Sequence, residues 1–156
     1  MTDPLPLSAA RGDQGSATPA GKRLSPAPTS YRPMTVAALA VHIREASSRQ
    51  LRWRFVREFL EEFKHEAAQS RQALLMESPP LTADARWDAL LGAIAEHLAF
   101  HDTLRCPRWA LDERRFLTTA WFLSDLPSVR AAAMETSPAS FRRRAIFLER
   151  SDLDSA

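Results

Sequence analysis

Two histidines four residues apart are the side chains of this sequence with the clearest capacity for chemistry. His97 and His101 would share one face of a helix, and Cys106 follows five residues later, a spacing that can hold Zn²⁺. The metalloprotease helix motif needs a glutamate directly after its first histidine, whereas Glu96 directly precedes His97. No clear fourth ligand accompanies them, so we expect no metal and interpret both histidines as partly buried at a helix seam. A metal-dependent enzyme that uses these three residues stays a third alternative.

The densest cationic run is Arg142-Arg143-Arg144, which directly follows Phe141. Guanidinium groups bind phosphates or an acidic protein surface, but such runs are also common as solvated side chains that pair with nearby acids. A tryptophan, Trp53, lies at the edge of a predicted helix face, where an aromatic ring can anchor a partner. The sequence therefore predicts a partner-binding surface made of Arg142, Arg143, Arg144, Phe141 and Trp53.

Other candidate catalytic groups lack the neighbours that catalysis needs. Glu58, Glu61 and Glu62 fall mostly on the solvated face of a predicted helix, beside arginines rather than in a shielded cleft. Cys106 has no activating base apart from the histidines before it. Three of the four glycines lie in the first 34 residues, which excludes a glycine-rich phosphate loop. We predict a non-enzymatic protein without a cofactor.

The elements that must position these residues are amphipathic helices. Apolar spacing predicts a first helix after an N-cap at Thr35, a second from about Arg49, a third over residues 67–76 and a fourth from about 82 to 101. The second helix carries Arg52 inside its apolar face. That guanidinium must either extend outward to solvent or pair with a buried carboxylate.

The C-terminal third is predicted as shorter pieces. Its aromatic-rich segment, 106–127, indicates short helical turns that close over the core. Proline at position 127 favours a helix through residue 134, and Ser137 with Pro138 predicts an N-cap and first position for a helix over 139–144. Residues 146–148 are a last apolar, extended piece. The fold class is therefore all-α, a compact bundle of about five to six short helices.

Composition divides the chain into a tail and a domain. Residues 1–34 are rich in Pro, Ser and Ala, which predicts a disordered tail, and residues 35–156 are predicted as a single helical domain. The tail has four basic and two acidic residues, whereas the remainder has 17 of each sign. A broadly cationic surface, which nucleic-acid binding usually needs, is not indicated.

The remaining compositional signals concern the compartment. Cys106 is the single cysteine, so no internal disulfide forms and a reducing, cytoplasmic environment is expected. No apolar run of membrane-spanning length occurs, and the first residues lack the pattern of a signal peptide. We therefore predict no association with a membrane.

Five short segments carry a resemblance to a known family. Together they resemble a family of small, helical actinobacterial proteins, some of which look like the antitoxin encoded beside a nucleotidyltransferase-like toxin. The segments are 58–63 (EFLEEF), 86–91 (RWDALL), 95–98 (AEHL), 121–127 (WFLSDLP) and 137–144 (SPASFRRR). The resemblance covers about residues 48–154; it implies an interaction domain and identifies no active site.

Two functions follow as expectations. The first is an antitoxin-like module that binds and neutralises another protein, with a nucleotidyltransferase-like toxin as the partner that the resemblance implies. The alternative is a transcriptional regulator that binds nucleic acid with Lys22, Arg23 and Arg32 of the tail together with the triple arginine. This chain departs from antitoxin-type relatives in one respect, because no convincing helix-turn-helix precedes residue 48.

Overall fold

Helices account for most of the chain in the computed structural model, which describes residues 30–154. The all-α prediction is confirmed, and seven α-helices occur within this range. They are α1 (Val36–Glu45), α2 (Arg49–His65), α3 (Ala68–Met76), α4 (Ala85–His101), α5 (Pro127–Thr136), α6 (Ala139–Arg142) and α7 (Arg150–Asp154). Most of the predicted tail, residues 1–29, lies outside the described residues.

The first helix begins after the N-cap predicted at Thr35, and the second begins at Arg49 as predicted, with a cap at Ser48 that was not predicted. The Thr35 hydroxyl accepts a hydrogen bond from the Ala38 amide at 3.1 Å, and the Ser48 hydroxyl accepts one from the Leu51 amide at the same distance. Each side chain thereby satisfies an amide that the helix itself leaves without an acceptor. The apolar face of α2 is buried as its spacing predicts, through Val56, Phe59, Leu60 and Phe63.

The central element of the fold is α4. Every residue from Trp87 through Ala95 is buried, and the helix packs against α1, α6 and the two short 3₁₀ turns that follow it, Arg108–Leu111 and Glu113–Arg115. Asp84 caps its first turn by accepting from the Arg86 amide at 3.0 Å. The helix α4 therefore forms the core against which the C-terminal third packs.

Within residues 30–154 no helix combines the length and apolarity needed to cross a bilayer.

Two short parallel strands join the C-terminal pieces. β1 (Trp121–Phe122) pairs with β2 (Ile146–Phe147), and the Trp121 amide donates to the Ala145 carbonyl at 2.8 Å. The predicted extended piece is β2. Its partner strand was not predicted, because the pairing joins residues 25 positions apart that carry no local signal of their own.

The region around α6 corrects two predictions. Ser137 does not cap this helix, because its buried hydroxyl donates to the Ile146 carbonyl at 3.2 Å. Pro138 occupies the cap position instead, and α6 ends at Arg142 rather than at 144. The last helix, α7, is an additional element that the sequence analysis did not anticipate.

Candidate functional site

A groove of about 580 Å³ lies where the last turns of α4 meet the segment that leads into α6. We call it the α4–α6 groove. Its side chains come from α4 and the loop after it, from residues 136–143, and from the start of α7. The ones that bear on function are His97, Phe100, His101, Leu104, Cys106, Arg142, Arg143 and Arg150. The groove therefore combines aromatic, apolar and cationic side chains on one surface.

Phe100 is the most exposed large apolar side chain among the described residues, at 79%. Its ring meets that of His101 edge-on at 5.4 Å between centroids, so the two rings form one aromatic patch. The sequence analysis did not single out this residue. The available signal was its position on the helical wheel, which lies opposite the apolar stripe of Leu90, Ile94 and Leu98.

The two histidines are close together but differ in environment. Their ring centroids are 4.3 Å apart, and His97 also packs edge-on against the buried Phe141 ring at 5.7 Å. His97 is half-buried, whereas His101 is exposed, which corrects the prediction that both are partly buried. The wheel position of His101 matches the core stripe, but this last turn of α4 extends beyond the elements that cover the core.

Burial, followed by the charges of His101 and Arg150, lowers the pKa of His97 to about 4. The nearby carboxylates Asp154 and Asp102 act in the opposite direction but do not offset these effects. His97 is therefore neutral near pH 7, with a protonation state that suits metal ligation. Among the described residues, however, no group of three or more metal-ligating side chains comes together.

Cys106 lines the same groove as both histidines, although the three side chains do not form a group that could hold a metal ion. Burial, followed by the charge of Glu96, raises the pKa of the Cys106 thiol. A thiol with a raised pKa stays protonated near neutral pH, and the thiolate is the nucleophilic form. The surroundings of Cys106 therefore raise its pKa and do not activate the thiol for covalent chemistry.

The triple-arginine run divides between surface and core. Arg142 and Arg143 are exposed, whereas Arg144 and Phe141 are both 0% exposed. These two cannot contact a partner, so the predicted surface is corrected to Arg142 and Arg143. The reason is the geometry of the turn after α6, which directs Arg144 into the space between α4 and the first 3₁₀ turn, where it donates to the Ala110 carbonyl at 2.7 Å.

Glu96 links the exposed and buried parts of this run. Its carboxylate accepts a hydrogen bond from Arg144 and, at 2.7 Å, another from Arg143. Arg142 donates through Nε to the Ser137 carbonyl at 3.1 Å. The anionic charge of Glu96 is thus shared by two guanidinium groups, and the rim of the groove retains excess positive charge.

Trp53 lies apart from these residues. It is half-buried on α2 and lines a separate shallow depression together with Gln50, Arg54, Arg57, Glu58 and Glu61. The structure therefore does not bring Trp53 together with the arginines into one surface. Arg52, also on α2, pairs with Asp84 at 3.3 Å, a carboxylate that is partly exposed and not buried as the prediction had it.

Lowering the pH from about 7 to about 5 is expected to reduce the free energy of unfolding through His97. The pKa of His97 in the folded protein, about 4, lies below the ordinary histidine value. At pH values between these two pKa values, the unfolded chain therefore binds more protons than the folded protein does. The contribution of neutral His97 to the free energy of unfolding is complete above the pKa that this histidine has in the unfolded chain. It is lost as the pH falls toward the pKa of His97 in the folded protein. After allowance for partial exposure we expect a loss of about 1 kcal/mol.

Urea denaturation of the wild type and of His97→Gln at the two pH values measures this contribution. The variant should show a smaller difference between them, whatever its absolute stability. His65→Gln, which changes an exposed histidine of α2, is the matched control and should keep the wild-type difference. An equal pH dependence in wild type and His97→Gln would contradict the assignment.

Comparisons with known proteins assign no family to this arrangement. No protein-family model matches the chain, and neither a curated protein nor a solved structure does. The resemblance to the actinobacterial helical family accordingly stays a prediction.

Proposed function

We propose that this chain is a non-enzymatic, antitoxin-like interaction module that binds a partner protein in the α4–α6 groove. The observation that carries the proposal is Phe100, an aromatic side chain left 79% exposed beside the exposed arginines Arg142 and Arg143. Aromatic and arginine side chains are the types that most often dominate the binding energy of protein interfaces. A surface that combines them favours a protein partner.

The shape and chemistry of the groove indicate what the partner presents. Its volume accommodates one or two side chains, and Leu104 with the Phe100 and His101 rings gives those side chains an apolar surface. Burial of Phe100 against an apolar partner side chain would remove exposed aromatic surface from water, which favours association. The partner segment is therefore expected to carry at least one large apolar residue.

The charges at the rim favour an acidic partner segment. Arg142, Arg143 and Arg150 line the groove, whereas the one acidic lining residue, Glu96, already bonds two guanidinium groups. Carboxylates on the partner would complement this excess of positive charge and would also accelerate the encounter. The partner that fits the resemblance described above is a nucleotidyltransferase-like toxin.

A nucleic-acid-binding regulator is the second candidate, because exposed arginines also bind phosphates. Of the tail residues assigned to that role, Lys22 and Arg23 lie outside the described residues. The two functions differ in their dependence on salt. Phosphate contacts lose affinity steeply as salt rises, whereas an interface anchored by a buried aromatic side chain loses much less.

A tagged purification of the full-length chain from its native host, at native expression, tests this proposal. Mass spectrometry of the co-eluting proteins then identifies the partner. One abundant protein and a low ratio of absorbance at 260 to 280 nm would support the module. A high, salt-sensitive ratio without a protein partner would favour the nucleic-acid regulator. The complex is then rebuilt from purified proteins so that its dissociation constant can be measured.

Phe100→Ala is expected to weaken that complex by about tenfold or more, because it removes the aromatic anchor. The pair Arg142→Gln and Arg143→Gln is expected to weaken it severalfold and to lower the association rate. Calorimetric titration measures the affinity, and circular dichroism verifies the fold of each variant.

Two variants serve as controls. Leu126→Ala removes another exposed apolar side chain, 62% exposed and outside the groove lining, and Arg54→Gln removes an exposed arginine of α2. Both should bind as the wild type does. Wild-type affinity in Phe100→Ala and in the arginine pair would remove the groove from the proposal.

A further inference from the structure

A second cleft, of about 300 Å³, lies at the start of α2 and α4, and nothing in the proposed function uses it. We call it the arginine cleft. It is lined by Ser47, Ser48, Arg49, Arg52, Asp84, Arg86, Trp87 and Trp121. Three guanidinium groups thus face a concave site in which Asp84 is the only acidic lining residue among those that the structure describes.

The cations of the arginine cleft are incompletely neutralised. Asp84 serves two of them, because one carboxylate oxygen lies 3.3 Å from Arg52 and the other 3.8 Å from Arg86. Arg49 pairs with Asp125, which does not line the cleft and is itself 85% exposed, so its charge is well solvated. Two carboxylates thus accompany the three guanidinium groups, and the remaining excess of positive charge is one that a phosphate group complements.

Tryptophan rings hold two of these guanidinium groups in place. Arg52 lies over the Trp87 ring at 5.7 Å and Arg86 over the Trp121 ring at 5.9 Å, and the two rings pack edge-on against each other. Cation–π contacts of this kind fix the orientation of an arginine without consuming its hydrogen-bond donors. The cations are therefore positioned before any ligand arrives.

One donor in this cluster has no acceptor. The Nε–H of Arg52 is buried and makes no hydrogen bond to any of the described residues. A buried N–H without an acceptor is costly, because it loses its hydrogen bond to water and gains none in the protein. This atom lies beneath the surface of the cleft, so it adds to the cost of holding Arg52 in place and offers no contact to a ligand.

Helix α2, which begins at the cleft, does not supply the missing negative charge. The first turn of α2 contains no acidic residue and has Arg49 at its first position, although the start of a helix is its positive end. A cation at this position opposes the helix dipole. An anion bound in the cleft would relieve this repulsion in addition to that among the guanidinium groups.

We propose that the arginine cleft binds the phosphate group of a small phosphate monoester, held by Arg49, Arg52 and Arg86. Planar guanidinium groups match the oxygens of a phosphate in charge and geometry. The cleft has room for the phosphate and a small organic group, with tryptophan at its wall. This proposal is independent of the α4–α6 groove, and either one can fail without the other.

The test is a titration of the full-length protein with phenyl phosphate and with inorganic phosphate at constant ionic strength and about pH 8, where the monoester is dianionic. Calorimetry gives the affinity, and indole NMR signals report the location. We expect saturable binding that shifts the signals of Trp87 and Trp121 and leaves that of Trp53 unchanged. Absence of saturable binding by the wild type would overturn the proposal.

Arg49→Gln combined with Arg86→Gln is expected to weaken binding by about tenfold or more, because two charge-assisted contacts are lost. Both side chains are partly exposed, at 40% and 60%, so the fold should tolerate the change. Arg54→Gln, on the same helix but outside the cleft, should bind as the wild type does. Wild-type affinity in the double variant would overturn the assignment.

Dimethyl phosphate distinguishes a monoester from a nucleic-acid backbone, because it carries the single charge of a phosphodiester. We expect it to bind at least about tenfold more weakly than phenyl phosphate, since the three guanidinium groups attract a dianion more strongly than a monoanion. Equal affinity for the two would overturn the monoester proposal in favour of a phosphodiester site.

Discussion

Arg144→Ala is expected to lower the free energy of unfolding by about 3–5 kcal/mol, a large part of the stability of a domain of this size. Arg144 is completely buried and is bound by the Glu96 carboxylate and by the carbonyls of Ser140 and Ala110, at 2.8 and 2.7 Å. Removal of the guanidinium deprives the two carbonyls of this donor, leaves Glu96 with Arg143 alone and creates a void in the core. These effects destabilise the folded state.

The packing around Arg144 explains why the cost should be large. Its guanidinium lies over the Phe116 ring at 4.4 Å, so it joins α4, the turn after α6 and the segment that follows the 3₁₀ turns. Burial lowers the pKa of Arg144, but an arginine stays protonated even so, and Glu96 opposes the shift. The positive charge is therefore retained in the core.

Urea denaturation measures the loss, with Arg142→Ala as the matched control from the same run. Because Arg142 is exposed and makes one hydrogen bond through Nε, its replacement should cost at most about 1 kcal/mol. Combining Arg144→Met with Glu96→Gln should recover part of the stability lost in Arg144→Met alone, since the partly buried side chain at position 96 is then neutral. A loss in Arg144→Ala no larger than that in Arg142→Ala would show that the buried ion pair is not needed.

The burial of Arg144 changes how the binding surface must be tested. A triple alanine variant of the arginine run, which the sequence alone would suggest, combines two exposed residues with one that holds the core. Loss of partner binding in that variant would report unfolding as readily as a missing contact. The pair Arg142 and Arg143 avoids this ambiguity, because both side chains are exposed.

The elements governed by local rules were predictable from the sequence. The spacing of apolar residues located the starts of α1 and α2, and the cap at Thr35 marked the first of them, because both signals act within one helical turn. The groove could be anticipated in part. His97, His101, Cys106, Arg142 and Arg143 were singled out from their chemistry, and the structure places all five along it.

The remaining features depend on contacts between residues that are distant in the sequence. A run of three arginines contains no signal that distinguishes the buried one, because burial of Arg144 is set by Glu96 and Ala110. The pairing of β1 with β2 is likewise a long-range contact between strands of two residues each. Phe100 was overlooked because a single apolar residue on a polar face is common and acquires meaning only from the groove beside it.

Gly92→Ala is expected to lower the free energy of unfolding by about 2–3 kcal/mol, although the same change in an exposed helix stabilises by up to about 1 kcal/mol. Gly92 lies mid-way along α4 and faces both buried arginines. A methyl group there would lie 2.8 Å from Cβ of Arg115, 3.2 Å from the Ala110 carbonyl oxygen and 3.3 Å from Nε of Arg144. The first distance is shorter than carbon atoms can approach, and the Cβ of Arg115 cannot move without its backbone.

Displacement of Arg115 would be costly because this side chain is also fixed at its far end. Its guanidinium donates to the Pro79 carbonyl at 2.7 Å and lies over the Trp109 ring at 5.2 Å. Thermal and urea denaturation should rank the wild type, Gly92→Ala and Gly92→Val in order of falling stability, because the volume added at this position increases along the series. Ala131→Gly, at an exposed position of α5, is the control for helix propensity. It should lower the free energy of unfolding by about 0.5–1 kcal/mol, because glycine is a poorer helix former than alanine. Greater stability in Gly92→Ala than in the wild type would mean that the two arginines do not pack tightly on α4, and the large loss expected for Arg144→Ala would then lose its basis as well.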